Sequence, residues 1–339
     1  MKFLKYLILL ILILLVVASV YLATLNGAYD VSRSRTIKAD PTVVFNDLND
    51  YRNWADWGPW YETDSTIVVN YAENTVGEGA WYSWISTEGD GEMRTLKTMP
   101  PDRIEAEIIY KTPFGDMRSD VYWIIKPVDS GTDLTWGIKG EMPFVTRFMA
   151  SSMEEQMGPM EERGLELFDA NLMRKLQVYS IENKGVVDFS GGFYLYLTSS
   201  SRISTMNSKF GEMMKSIELY MESNSISTMG SPFTVYHKFD PENDTAMFSV
   251  CYPVKERILT DKGTDILTGF TDRGIYLKTV LKGSYDYSSE AWEQAMSNTD
   301  RLSEFTTDTE REPFQIFVNN PSNTPNPANL LTEIYIPVH

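Results

Sequence analysis

A chain of 339 residues that is 42% apolar and 13% aromatic is long enough for two packed domains and too rich in core-forming residues for disorder. Its formal charge of −17 is spread along the chain, so the surface repels phosphate backbones and nucleic acid is excluded as an expected partner. One cysteine, Cys251, and two histidines, His237 and His339, exclude an intrachain disulfide framework and a His/Cys metal site, and no cofactor motif is present.

The chain opens with Lys2 and Lys5 and then runs without a charge from Tyr6 to Tyr29. About 20 apolar residues cross the hydrocarbon core as a helix. The run exceeds the apolar region of a signal peptide, and no clean small-residue cleavage site follows it. Residues 1–29 therefore read as a single-pass transmembrane anchor. A short basic N-terminus held inside would leave the folded domains outside the cytoplasm.

Residues 30–177 read as the first folded domain. Val31 to Ile37 alternates as a strand, Asp40-Pro41 caps and starts a short helix through Val44, Phe45 and Leu48, and the aromatic segment Tyr51 to Trp60 follows. Strand-like runs recur at 67–71, 80–85, 92–97, 103–110, 117–126 and 132–140, an antiparallel meander. A long helix closes the unit, with Phe148, Met149, Met153, Met157, Met160, Leu165, Phe168 and Leu172 near helical spacing. Its methionines read as core filling, and Glu154, Glu155, Glu161 and Glu162 as its solvated face. This order predicts a sheet curved around one helix, with an elongated apolar cavity between them. Trp54, Trp57 and Trp60 either line the cavity mouth or pack a corner.

Residues 178–339 read as a second domain built on an internal repeat. Pro232 to Tyr236 is echoed by Pro313 to Phe317, and Ser249 to Val254 by Glu333 to Val338. Upstream of each lies a strand and then a helix: 193–197 before 203–221, and 275–280 before 289–302. Two strand-helix-strand-strand halves would join about a pseudo-twofold axis and leave a groove at the seam. The expected fold class is thus α+β.

The final strand sets Leu330, Ile334, Ile336 and Val338 on one face and Leu331, Glu333 and Tyr335 on the other. An ionised carboxylate between a leucine and a tyrosine sits either at a solvent edge or in a pocket that needs it. The first half carries Ser249 at the matching position, so Glu333 breaks the symmetry of the groove and becomes the candidate site residue. Tyr196, Tyr236, Tyr252, Tyr276 and Tyr335 are its expected walls. The acids of the 240–244 segment lack a calcium-loop glycine and read as a turn, and His237 as a surface or satisfied strand histidine.

Two resemblances follow from these residues. The Tyr51 to Trp60 aromatic segment, Gly77 to Trp84, the strand ending Leu134-Thr135-Trp136 and the closing Gly164-Leu165 helix resemble the START-like superfamily of polyketide cyclases and lipid-transfer proteins, also called SRPBCC. That resemblance implies a helix-grip domain whose cavity holds a hydrophobic ligand, with Trp54, Trp57 and Trp84 as candidate ligand-binding residues. The second domain resembles the GyrI-like effector-binding domain through its duplicated order, Leu281 to Tyr285 and the Glu-Ile-Tyr-Ile-Pro ending. This implies that Glu333 meets cationic, aromatic ligands. In some relatives such a glutamate serves hydrolysis of strained rings, but no helix-turn-helix unit precedes the domain here.

The sequence thus predicts a membrane-anchored binding protein for hydrophobic or cationic small molecules. The alternative is a hydrolase with Glu333 as general base and Tyr276 or Tyr335 as proton donor.

Overall fold

A computed structural model describes residues 2–339 apart from 88, 113, 114, 241, 300 and 303, and apart from the side chains of Lys2 and Asn207. The chain forms two compact units, Met1–Lys175 and Leu176–His339.

The first unit begins with α1 (Lys2–Thr24), whose apolar side chains are exposed along its length. Strand β1 (Ala28–Ile37) leads to α2 (Pro41–Leu48), where Asp40 accepts a hydrogen bond from the Thr42 N–H and Pro41 occupies the first turn. A 3₁₀ turn over Tyr51–Asp56 and the short α3 (Trp60–Thr63) carry the aromatic segment. The meander follows as β2 (Val68–Tyr71), β3 (Trp81–Ile85), β4 (Gly91–Met99), β5 (Arg103–Thr112), β6 (Gly115–Val128) and β7 (Gly131–Glu141). The seven strands form one antiparallel sheet in the order β1-β7-β6-β5-β4-β3-β2.

Helix α4 (Met153–Leu176) lies against this sheet through Leu165, Phe168 and Leu172, all buried. It starts later than its apolar pattern suggests. Residues Phe144–Ser152 form a 3₁₀ segment, and Phe148 and Met149 there are exposed rather than on the buried helix face. Helix and sheet approach closely at Gly164, where a Cβ would lie 2.3 Å from Trp136 Cζ3. Only glycine fits there without displacing the indole.

The second unit consists of β8 (Ser180–Phe189), β9 (Gly192–Ser201), α5 (Met206–Ser223), β10 (Phe233–Asp240), β11 (Thr245–Val254), β12 (Leu267–Thr271), β13 (Gly274–Lys282), α6 (Ser288–Thr299), β14 (Phe314–Phe317) and β15 (Leu331–Pro337). All eight strands join one antiparallel sheet in the order β12-β9-β11-β10-β14-β15-β13-β8. The repeat is written in this order: β9-β11-β10 mirrors β13-β15-β14, and the halves meet where Thr234 of β10 pairs with Gln315 of β14. Strands β8 and β12 add one edge to each half. They sit at equivalent places, β8 before β9 in the chain and β12 before β13, each pairing with the other half, so the duplication extends to a fifth element that the four-element sequence repeat does not include.

Alternation along the strands separates two faces. One packs against the helices, with Leu195, Phe248, Val250 and Tyr252 meeting Met213 and Ile217 of α5, and Leu277, Leu281, Ile334 and Ile336 meeting Ala291 and Ala295 of α6. The other holds Phe233, Val235, Cys251, Tyr276, Phe314 and Tyr335, with Phe189, Tyr194 and Tyr196 against them.

Candidate functional site

In the first unit, a cavity of about 140 Å³ lies between the sheet and α4. Trp60, Tyr82, Trp84, Met93, Ile108, Trp136, Met157 and Met160 line it. Trp84 lies across Gly91 of the neighbouring strand, where a Cβ would sit 2.2 Å from the indole, and donates its Nε1–H to the Gly89 carbonyl at 3.0 Å. The missing side chain lets the ring lie flat along the wall.

Of the candidate tryptophans, only Trp84 reaches this cavity. Trp54 and Trp57 are buried behind it, in a cluster with Trp123 in which Trp57 also meets Trp136 and Phe168. They pack the corner, and the third residue of the segment, Trp60, supplies the lining. The methionines need similar division: Met157 and Met160 face the cavity, whereas Met153 is core.

Glu161 overturns the expectation of a solvated helix face. It is 0% exposed, lines the cavity, and neither carboxylate oxygen has a hydrogen-bond partner among the described residues. Burial pushes its pKa up to about 8; Arg33 opposes this, and Glu154 and Asp30 add to it. Arg33 is committed elsewhere. It crosses Gly158, where a Cβ would lie 2.1 Å from its Nη2, and pairs with Glu154 at 2.8 Å while donating to the Ser32 carbonyl.

In the second unit, Glu333 lies on the strand face that carries Tyr335, away from the helices, and it is not alone. Lys278 Nζ lies 2.8 Å from Oε1, and the Tyr335 hydroxyl donates to Oε2 at 2.7 Å. Burial works against the Lys278 ammonium, yet its bonds to Glu333 and Tyr335 prevail and hold its pKa above the usual lysine range. The ammonium also sits 5.3 Å from the centre of the Tyr335 ring. The lone carboxylate of the sequence reading is thus one half of an ion pair.

The repeat explains this pair. Glu333 opposes Ile316 and Val280, as Ser249 opposes Val235 and Thr198. Lys278 opposes Tyr335, as Tyr196 opposes Cys251. Both charges are therefore introduced in one half, at positions where the other carries a tyrosine and a serine. The Tyr196/Lys278 match was available in the sequence and would have found the partner.

The five expected tyrosine walls divide by strand parity. Tyr276 and Tyr335 lie on the Glu333 face, around Phe189 of β8 and Phe314, with Tyr335 stacked on Phe314 at 4.8 Å. Tyr196 shares that face in the first half. Tyr252 and Tyr236 lie on the opposite, helix-covered face, which corrects their assignment as walls: the Tyr252 hydroxyl donates to Glu218 of α5 at 2.6 Å, and Tyr236 meets Trp292 of α6 edge-on. Tyr252 is three residues beyond Ser249, an odd step that already sends it to the other face.

The open groove on this face belongs to the first half. About 420 Å³ in volume, it is lined by Tyr194, Tyr196, Val235, His237, Ser249 and Phe270. A register shift between Tyr236 and Lys238 places His237 at a β-bulge, a device that re-aims a side chain. Its Nε2 lies 2.6 Å from Ser249 Oγ and its Nδ1 2.6 Å from Glu312 Oε1, while Ser249 Oγ also meets Thr198 Oγ1 at 2.7 Å. His237 is a satisfied strand histidine, as expected, but its partners form an ordered Glu-His-Ser series. Asp240 accepts from Asn243 within the 240–244 turn, and Asp244 accepts from the N–H and hydroxyl of Ser204; residue 241 lies outside the described residues. Among the described residues no cluster of His, Cys, Asp and Glu could hold a metal ion.

Residues 28–172 match the family of polyketide cyclase / dehydrase and lipid transport proteins, and residues 194–339 match the GyrI-like small molecule binding domain. No curated protein matches the chain. Similar solved structures include protein CV1439 from Chromobacterium violaceum, 17% identical over 42% of this chain and 96% of that one, with a TM-score of 0.34. The Aha1 dimer from Colwellia psychrerythraea is 16% identical over 43% and 98%, with a TM-score of 0.32. The C-terminal domain of EcmrR is 14% identical over 48% and 99%, with a TM-score of 0.38.

Proposed function

We propose that this protein is a membrane-tethered binder of hydrophobic small molecules, with a ligand cavity in the first unit and a second ligand-binding face in the second. The observation that carries this reading is the aromatic and methionine-lined cavity beneath α4. Small-molecule sites are concave and mostly apolar with few polar groups, and flexible thioethers adapt such walls to ligands of varied shape. The matches of the two units to lipid-transport and small-molecule-binding families support it.

The tether rests on Phe3–Thr24, a helix long and apolar enough to cross a bilayer, of which none of the most apolar stretch is buried. The exposed Phe144, Val145 and Phe148 of the 3₁₀ segment are joined to its end, where the Met142 N–H donates to the Gly27 carbonyl at 2.9 Å. An apolar cluster at that place suits a membrane interface. In the second unit, Glu333 would meet a ligand cation in exchange for Lys278, and Tyr276 and Tyr335 would face its aromatic part.

The cavity reading is tested with the full chain in lipid nanodiscs, titrated calorimetrically with 4-phenylbutanol against empty nanodiscs. Saturable binding to the wild type, reduced at least tenfold by Met157→Trp and Met160→Trp, is expected because each indole fills the cavity. Equal heats from wild type, variants and empty discs would overturn it.

The Glu312, His237 and Ser249 series favours a second reading, an esterase in the open groove. His237 would take the Ser249 proton as Oγ bonds to the ester carbonyl carbon, then return it to the departing alkoxide, and water would release the acid by the reverse path. Turnover of p-nitrophenyl butyrate by the full chain should then fall at least a hundredfold in both Ser249→Ala and His237→Gln. Turnover that survives Ser249→Ala would leave the series as a structural polar network.

A further inference from the structure

Glu161 is the most costly unexplained group in the first unit. A carboxyl with neither oxygen hydrogen-bonded is destabilised by burial in any protonation state, and an apolar side chain such as leucine would fit a purely structural wall better. It lies at the spacing Met153, Met157, Glu161, Leu165, so it occupies the buried stripe of α4. The nearest cation, Arg33, is bonded to Glu154 and to the Ser32 carbonyl. The other acid of the cavity wall, Asp64, is already satisfied, accepting from the Thr66 N–H at 2.7 Å and from the hydroxyls of Thr66 and Ser86. The unmet hydrogen-bonding capacity of the wall is therefore concentrated in one carboxyl, surrounded by aromatic faces.

Resting on the reading of this cavity as a ligand site, we propose that its ligand class is lipophilic amines, with Glu161 as the counter-ion of the bound ammonium and Trp60, Trp84 and Trp136 around the hydrocarbon part. An ammonium supplies the donors that both carboxylate oxygens lack. Indole faces attract cations and also bury alkyl or aryl groups. Met157 and Met160, flanking Glu161 on α4, are flexible enough to let the carboxylate turn toward the ligand.

The groups that set the charge state here are Asp30 and Arg33 on β1, Glu154 on α4, Tyr122 on β6, and Asp64, Tyr82 and Tyr110 in the wall. Burial raises all three tyrosine hydroxyls, which therefore remain neutral, and the hydroxyls of Ser86 and Thr66 keep Asp64 ionised by lowering its pKa. Glu161 is then the group that changes charge when an amine arrives. It holds its proton near neutrality in the empty cavity, with a pKa of about 8, and releases it when an ammonium docks.

The test compares 4-phenylbutylamine with 4-phenylbutanol on the full chain in nanodiscs, by calorimetry in buffers of different ionisation heat at pH 6.5 and pH 9. The amine should bind at least tenfold more tightly than the alcohol, releasing about one proton at pH 6.5 and almost none at pH 9, as linkage to a carboxyl of raised pKa requires. Glu161→Gln should remove both the preference and the proton release while still binding the alcohol. Alcohol binding with no amine preference, or proton release that persists in Glu161→Gln, would overturn the amine assignment and leave the cavity reading intact. Failure of both compounds would overturn both.

Discussion

Glu161→Gln should stabilise the first unit at pH 9 and leave it nearly unchanged at pH 4. The folded-state pKa of about 8 lies above the ordinary glutamate value of 4.5, so the folded chain binds the proton more tightly than the unfolded chain. Between those values the unfolded state loses its proton first, and stability falls as pH rises; above pH 8 the loss is complete. At about 1.4 kcal/mol per unit the full effect is on the order of 3–5 kcal/mol. In a unit of this size that corresponds to roughly 10 °C in melting temperature. Glutamine keeps the shape and cannot ionise, so the difference between variant and wild type should grow from pH 4 to pH 8 and then level off. Tryptophan fluorescence reports the right unit, since seven of the eight tryptophans lie in it. A variant that tracks wild type at every pH would show that the carboxylate is hydrated in solution.

Breaking the Lys278 and Glu333 pair should cost more than removing it. Lys278→Met leaves a carboxylate of 23% side-chain exposure beside Tyr335 with no cation, and about 2–4 kcal/mol of destabilisation is expected. Glu333→Gln combined with Lys278→Met should recover about 1–3 kcal/mol of that loss. The fold tolerates the neutral arrangement, because Tyr196 and Ser249 occupy the same two positions in the first half. Hydrogen exchange of peptides from β13 and β15 in the full chain measures this locally: protection should fall most in the single lysine variant and partly return in the double variant. Exchange equal in the single and double variants would mean that the two charges act independently. The ion pair also bears on cation capture, since a ligand cation must replace an ammonium already 2.8 Å from Glu333.

The meander of the first unit, the presence of a closing helix and the duplicated order of the second were legible because they rest on short-range rules. Period-two alternation and turn residues mark strands, and a repeat forces equivalent segments into equivalent places. The expected runs at 103–110 and 117–126 are the cores of β5 and β6, and the two halves meet at Thr234 and Gln315 as a twofold duplication requires. Glu333 could be picked out, and Lys278 could have been, by comparing the halves position by position. Glu161 also had a local signal: it falls four residues after Met157 and four before Leu165, on the apolar stripe, although its chemistry suggested solvent.

By itself, then, the sequence determined an apolar N-terminal segment, two α+β units and the duplication within the second. Only the tertiary structure decided which groups meet. Phe189 reaches Tyr276, Phe314 and Tyr335 because β8 joins the sheet beside β13, across the two halves, a pairing that no sequence echo marks. His237 meets Ser249 and Glu312 through a bulge that no alternation pattern encodes. Arg33 pairs with Glu154 rather than Glu161 because Gly158 opens its path across α4. The physical reason is common to all three: periodicity fixes which face a side chain occupies, whereas its partners come from distant strands and helices, and long-range packing sets those distances.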